Sequence, residues 1–173
     1  MRLSKPALVP PGFIEPCLPV VGVKPPSGDG WIHEIKHDDY RLQVQRRNGR
    51  VRLFTRRGFD WTHRFPWIVE SAAKLKVTSV TLDGEAVCCR DDGIPDFDAL
   101  HSQAHDQKVC LMAFDLMELN GEDWCGRPLI ERKSKLSRLL ARARPGLRYV
   151  DHLEGDGALI FKHACRLGLK ACR

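Results

Sequence analysis

From residue 31 onward the apolar and polar positions follow two periods, and the changes between them mark out the elements. Residues 41–47 alternate, with Leu42 and Val44 between polar neighbours, and residues 50–56 return after Asn48-Gly49. In a strand successive side chains point to opposite faces, and Asn-Gly suits the two positive φ angles of a type I′ turn, so this stretch predicts a hairpin. Phe65, Ile68, Ala72 and Leu75 then recur at helical spacing behind Pro66, which predicts a short helix covering one face of the sheet. Residues 80–89 predict a strand closed by Asp91-Asp92-Gly93, residues 97–105 a short helix, and residues 109–116 a buried strand before the turn Asn120-Gly121. Residues 128–143 predict a basic amphipathic helix with Leu129, Leu136, Leu139 and Leu140 inward. A last helix over 156–167 would turn Leu159, Ile160 and Ala164 to the core, with Gly168 as its C-cap.

Ahead of this lies a different composition. Seven prolines and four glycines in the first thirty residues cannot sustain a helix or a central strand, so residues 1–30 read as an extended lead-in. Residues 31–173 then make one domain. Strands and helices without strict alternation predict an α+β fold with a mainly antiparallel sheet and flanking helices. A chain of 173 residues, 43% hydrophobic, is long enough for one such core.

Charge and cysteine usage narrow the class. The net charge of +6 suits a polyanionic partner, although many small soluble proteins are mildly basic. Seven scattered cysteines, mostly in apolar segments and without a Cys-x-x-Cys, predict reduced, buried thiols in a cytoplasmic protein and no structural zinc. No run approaches the ~20 apolar residues of a membrane span, and the N-terminus lacks a signal-length apolar core.

The candidate chemistry begins in Trp31-Ile32-His33-Glu34-Ile35-Lys36, a strand-like run ending in a lysine with carboxylates around it. An amine attacks phosphorus only when deprotonated, so a nucleophilic lysine needs desolvation or nearby cations. On a strand Glu34 and Lys36 would share one face and line one pocket. A solvated strand lysine beside Glu34 and Asp38 is the plainer reading of Lys36 alone.

Lys36-His37-Asp38-Asp39-Tyr40-Arg41 resembles the K-x-D-G-x-R signature of ATP-dependent DNA ligases and related nucleotidyltransferases, with Asp39 in place of glycine. Thr55-Arg56-Arg57-Gly58, Leu82-Asp83-Gly84-Glu85 and Ala113-Phe114-Asp115-Leu116 resemble the next three motifs of the adenylation domain, in order. His152-Leu153-Glu154-Gly155-Asp156-Gly157 is similar to a segment of bacterial end-joining ligases. The resemblance runs from about Leu18 to Leu169 and implies the following roles. Lys36 is the nucleophile that takes AMP from ATP. Glu34 reads the adenine amino group, Arg41 the ribose side, and Arg56 orders the nucleotide or nicked DNA. Phe114 stacks on the base. Glu85 contacts ribose and helps hold Mg2+ or Mn2+, a hard cation wanting oxygen ligands. Each also has a plainer reading: Glu34 and Arg41 as surface ion pairs, Asp83-Gly84 as a turn, Phe114 as core.

The basic helix with Arg132, Lys133, Lys135 and Arg138 is expected to show its charges to water as its solvated side rather than to form a DNA-binding face. Met112 and Met117 are expected to pack. After Leu167-Gly168-Leu169, where such ligases continue into E-G-x-V, this sequence ends in Lys170-Ala171-Cys172-Arg173. The expectation is therefore a partial adenylation domain, without the fourth motif, the triphosphate-gripping lysines or a C-terminal oligonucleotide-binding domain. Asp39 adds bulk and negative charge near the triphosphate, so lysine adenylylation is expected to be slow or undetectable. The function expected is that of an ATP-dependent DNA ligase in repair and recombination, acting on nicked or broken duplex DNA. A separate polypeptide could supply the remaining half. The alternatives are an inactive remnant or adaptor that binds nucleotide or DNA, and an RNA ligase or capping-type enzyme.

Overall fold

A computed structural model describes residues 10–20, 22–35, 40–88 and 108–166. They fall into two compact units, one drawn from the described residues of 1–16 and 39–149, the other from those of 17–38 and 150–173. The larger unit holds β2 (Tyr40–Arg47), β3 (Arg50–Thr55), α1 (Pro66–Ala73), β4 (Ser79–Cys88), β5 (Val109–Leu119), β6 (Glu122–Asp123), α2 (Leu129–Leu140) and β7 (Leu147–Tyr149). The smaller holds β1 (Ile32–His33), β8 (Leu153–Glu154) and α3 (Gly157–Arg166). The predicted turn and helix over 91–105 lie outside the described residues, as does Gly168.

The sheet of the larger unit runs β3-β2-β4-β5-β6, antiparallel throughout, and β7 joins β5 in parallel. The expected α+β class is what the chain adopts. The hairpin forms as the Asn-Gly signal requires, with Asn48 at φ 50° and Gly49 at φ 77°. One face of the sheet carries Leu42, Val44, Leu53, Leu82, Ala86, Leu111 and Leu116, all inaccessible to solvent. Phe65, Ile68 and Ala72 of the α1 region and Leu136 and Leu140 of α2 close over it. Burying each large aliphatic side chain contributes roughly 1.5–3 kcal/mol, which makes this face the main source of stability.

The opposite face is polar, and residues 10–14 lie across part of it. Gln43 donates to the Ile14 carbonyl (2.8 Å) and accepts from the Ile14 amide (3.1 Å), while Gln45 donates to the Gly12 carbonyl (2.6 Å). Phe13 packs edge-on against Phe54 at 6.1 Å between centroids. No helix or strand is found in residues 10–20 or 22–30.

The β4–β5 ladder is irregular where the chemistry is expected. Thr81 pairs with Glu118 and Leu82 with Leu116; Asp83 pairs with Asp115 and Gly84 with Ala113. Met117 and Phe114 are therefore extra residues on β5. Such bulges leave the added residue unpaired and re-aim its side chain. Gly84 is required beside the second bulge: a Cβ there would lie 2.6 Å from the Met112 carbonyl oxygen and 3.0 Å from Ala113 Cα.

Several expectations on burial are corrected. Leu129 lies on the inward stripe of α2 but, as the first residue of that helix, is 40% exposed. Leu159 of α3 is 54% exposed; within its own unit that helix presses on the chain through Gly157, which meets the Pro26 carbonyl and the His33 ring. Cys17, Cys125 and Cys165 are exposed, whereas Cys88 and Cys110 are buried as expected. Met117 is buried, and Met112 packs against Val87 and Cys110.

Candidate functional site

Strand alternation puts Arg41 and Gln43 of β2 on the polar face together with Asp83 and Glu85 of β4, and the register pairs Arg41 with Glu85. The Arg41 side chain reaches diagonally to Asp83: Nε lies 3.1 Å from Oδ1 and Nη2 2.7 Å from Oδ2. This fork-on-fork geometry fixes the guanidinium plane more tightly than a single contact. Its Cζ also sits 5.5 Å from the centroid of the Phe114 ring, the residue that the β5 bulge displaces. Asp83 is 3% exposed, and burial raises its carboxyl above the ordinary aspartate value, against the opposing pull of Arg41. The negative charge of Asp115, its partner across the ladder, pushes in the same direction as burial.

At the end of β3, Thr55-Arg56-Arg57-Gly58 folds into a tight turn. Gly58 donates to the Thr55 carbonyl (2.8 Å) and the Phe59 amide to Thr55 Oγ1 (3.1 Å), with Gly58 at φ 80°. That left-handed angle explains the glycine. The turn carries Arg56 and Arg57 at the surface, beside a pocket of about 360 Å³. Its walls combine Arg41, Arg56 and Arg57 with the rings of Tyr40, Phe59 and Trp61. Arg64 lies over Tyr40 (5.0 Å) and Trp61 (4.5 Å), so that aromatic wall is itself backed by a cation. Cationic groups next to flat apolar surfaces suit a ligand with phosphate and a ring.

The sequence-predicted residues are thus distributed unequally. Arg41 and Arg56 share one pocket, Arg41 contacts Phe114, and Glu85 is the half-buried register partner of Arg41. Glu34 is exposed and belongs to the smaller unit. It also falls outside β1, which ends at His33, so strand alternation does not set its direction. Lys36 and Asp39 lie outside the described residues.

The expectation of a wholly solvated charge run on α2 is corrected. Arg132 donates from Nε and Nη2 to the two Asp115 carboxylate oxygens at 2.8 and 2.9 Å, an arrangement that keeps its guanidinium charged. Lys133 is fully buried, donates to the Phe114 carbonyl (3.4 Å) and lies 5.0 Å from the Tyr149 ring centroid. Lys135 and Arg138 are exposed as expected. Residue spacing held a signal for Lys133, which precedes Leu136 by three and Leu140 by seven and so lies on the inward stripe. Asp83, Asp115 and Arg132 complete the charged group that sequence reasoning did not single out. The Cys125 thiol near it is pushed up by desolvation and by the Asp123 and Asp115 carboxylates, away from thiolate reactivity.

Among the described residues no group of three or more His, Cys, Asp or Glu side chains is arranged to hold a metal ion. A divalent ion held by one protein carboxylate and by phosphate oxygens remains compatible with Glu85, since Mg2+ is usually bound that way. Asp83, on the same face, is engaged by Arg41.

A sequence profile described as ATP dependent DNA ligase domain matches residues 22–164. The multifunctional non-homologous end joining protein LigD of Pseudomonas aeruginosa is 37% identical over 164 residues, a match covering 92% of this chain and 19% of that protein. LigD of Mycobacterium tuberculosis is 39% identical over 131 residues, 76% of this chain and 17% of that one. The chain therefore spans about a fifth of the length of these relatives. Among solved structures, mycobacterial DNA ligase D complexed with ATP and MES superposes with a TM-score of 0.67 at 32% identity, covering 81% of this chain and 46% of that one. The ligase domain of M. tuberculosis LigD gives 0.68 at 33% identity, covering 79% and 44%.

Proposed function

The chain belongs to the ATP-dependent DNA ligase domain family, and we propose that it carries the ATP-handling part of an adenylation domain that acts through a lysine-AMP intermediate. Lys36 Nζ, in its neutral form, attacks the α-phosphorus of ATP. The N–P bond forms as the bond from the α-phosphorus to the bridging oxygen breaks, the electron pair leaves with pyrophosphate, and the amine gives up its proton. In-line placement of these groups is what the protein has to supply. Arg41 holds the ribose side, Phe114 stacks on adenine, Glu34 reads the base edge, and Arg56 meets the nucleotide or a DNA phosphate. Glu85 would hold a divalent cation, which neutralises charge on the phosphoryl oxygens.

The observation that supports this reading is the double engagement of Arg41. Its guanidinium is clamped by Asp83, faces the Phe114 ring and lines the Arg56 pocket. A cation fixed between a flat ring and a pocket lined by further arginines and aromatic rings is suited to a nucleotide. The duplex DNA ends, the repair role in the cytoplasm and a separate polypeptide supplying further ligase parts belong to the same proposal. No helix among the described residues is long and apolar enough to cross a membrane.

Intact-mass measurement after incubation with ATP and magnesium tests the proposal. The expected result is a slow mass gain of one adenylyl group, in keeping with Asp39 in the motif that carries the nucleophile, lost in Lys36→Ala and reversed by pyrophosphate. No gain at any ATP concentration would refute it, and DNA binding retained without the gain would favour an adaptor instead.

A further inference from the structure

Two arginine–aspartate pairs meet across the β4–β5 ladder, Arg41 on Asp83 and Arg132 on Asp115, with the two carboxylates opposite one another in register. Between them the chain makes the bulge that displaces Phe114. We propose that Arg132, with Lys133 beside it, is a positioning residue for the base-facing ring of Phe114, acting from α2 without touching the nucleotide. This rests on the reading of Phe114 as the adenine wall.

A bulge forfeits ladder hydrogen bonds, so something else has to hold its shape. Here two neighbouring cations of one helix do so. Arg132 grips the Asp115 carboxylate with two nitrogens, and its Nη1 donates to the Arg127 carbonyl (2.7 Å), which ties that guanidinium to the segment before the helix. Asp115 Oδ1 also accepts from the Leu116 amide (2.8 Å), immediately past the bulge. Lys133 donates to the carbonyl of Phe114 itself. The backbone from the Phe114 carbonyl to the Leu116 amide is thereby anchored to α2.

Arg132 has a second effect through charge. Asp115 without it would be a carboxylate facing Asp83, and the pair would compete for Arg41. Drawn toward Asp115, Arg41 would leave its place over the Phe114 ring. Arg132 therefore sets both the ring and the cation that lies on it.

Calorimetric binding of ATP and of inorganic tripolyphosphate to the purified chain separates base recognition from phosphate recognition. Loss of an aromatic stack is of the order of a tenfold change in affinity. Arg132→Gln is expected to weaken ATP by about tenfold and tripolyphosphate clearly less, since Arg41 is one of three arginines lining the pocket, and to add little further in a Phe114→Ala background. Arg132→Lys, which keeps charge but not the fork, is expected to lose part of the ATP affinity and serves if the glutamine variant has lost its near-ultraviolet dichroism. Equal weakening of both ligands, unchanged ATP binding, or full additivity with Phe114→Ala would overturn the assignment. A wild-type chain that binds tripolyphosphate but not ATP would instead refute the adenine reading itself.

Discussion

Replacing Asp83 by Asn tests whether the Arg41 clamp is a net stabiliser. Asp83 is 3% exposed and Arg41 retains about a fifth of its side-chain surface, so the pair is largely but not wholly withdrawn from water. Removing one partner of a fully buried pair costs about 3–5 kcal/mol, and the partial exposure of Arg41 together with the acceptor that Asn keeps reduces this to about 2 kcal/mol. For a domain of this size that corresponds to a fall of roughly 4–8 °C in melting temperature. The deficit should vary with pH in a definite sense. Burial raises the folded-state value of Asp83, so the stability linked to its protonated form is complete below the ordinary aspartate value of 3.8 and is lost as pH rises through the raised one. The asparagine variant has no such titration, and the gap should narrow over that window. Thermal melts of both proteins from below the ordinary aspartate range to neutrality measure it. A gap that widens with rising pH would show that the attraction of Arg41 outweighs desolvation and would refute the reasoning.

Further outcomes follow from the core and the bulge. Leu136→Ala, at a fully buried position of α2, should destabilise the chain by about 2–5 kcal/mol in denaturant titrations, with the midpoint moving and the slope retained. Gly84→Ala places a methyl against the backbone of Met112 and Ala113, so the β4–β5 strands have to part; a loss of about 1–3 kcal/mol and faster amide exchange at Phe114 are expected.

What the sequence discloses is what local chemistry decides. Asn48-Gly49 fixes a hairpin by itself, and Phe65, Ile68 and Ala72 mark a helix face within two turns, so both are found where expected. The Phe114 bulge could not be read in advance, because it is a property of the pairing between β4 and β5, whose residues lie about thirty positions apart. Lys133 shows the complementary case: a charge in a basic run predicts a place in water, whereas a carbonyl and an aromatic ring receive it inside. Order of motifs identified Arg41, Arg56, Glu85 and Phe114 as candidates, but it could not reveal that Asp83 and Arg132 set the posture of two of them.

The stretch from Gly12 to Ile14 has a practical meaning for anyone trimming this protein. Its main-chain groups are the counterparts of two glutamine carboxamides buried on the sheet, and its phenylalanine shields Phe54. A shortened version beginning after it would cost those amides their main-chain partners and open that part of the sheet to water, baring an aromatic ring and inviting aggregation. What looks like a dispensable leader is part of the sheet's upholstery.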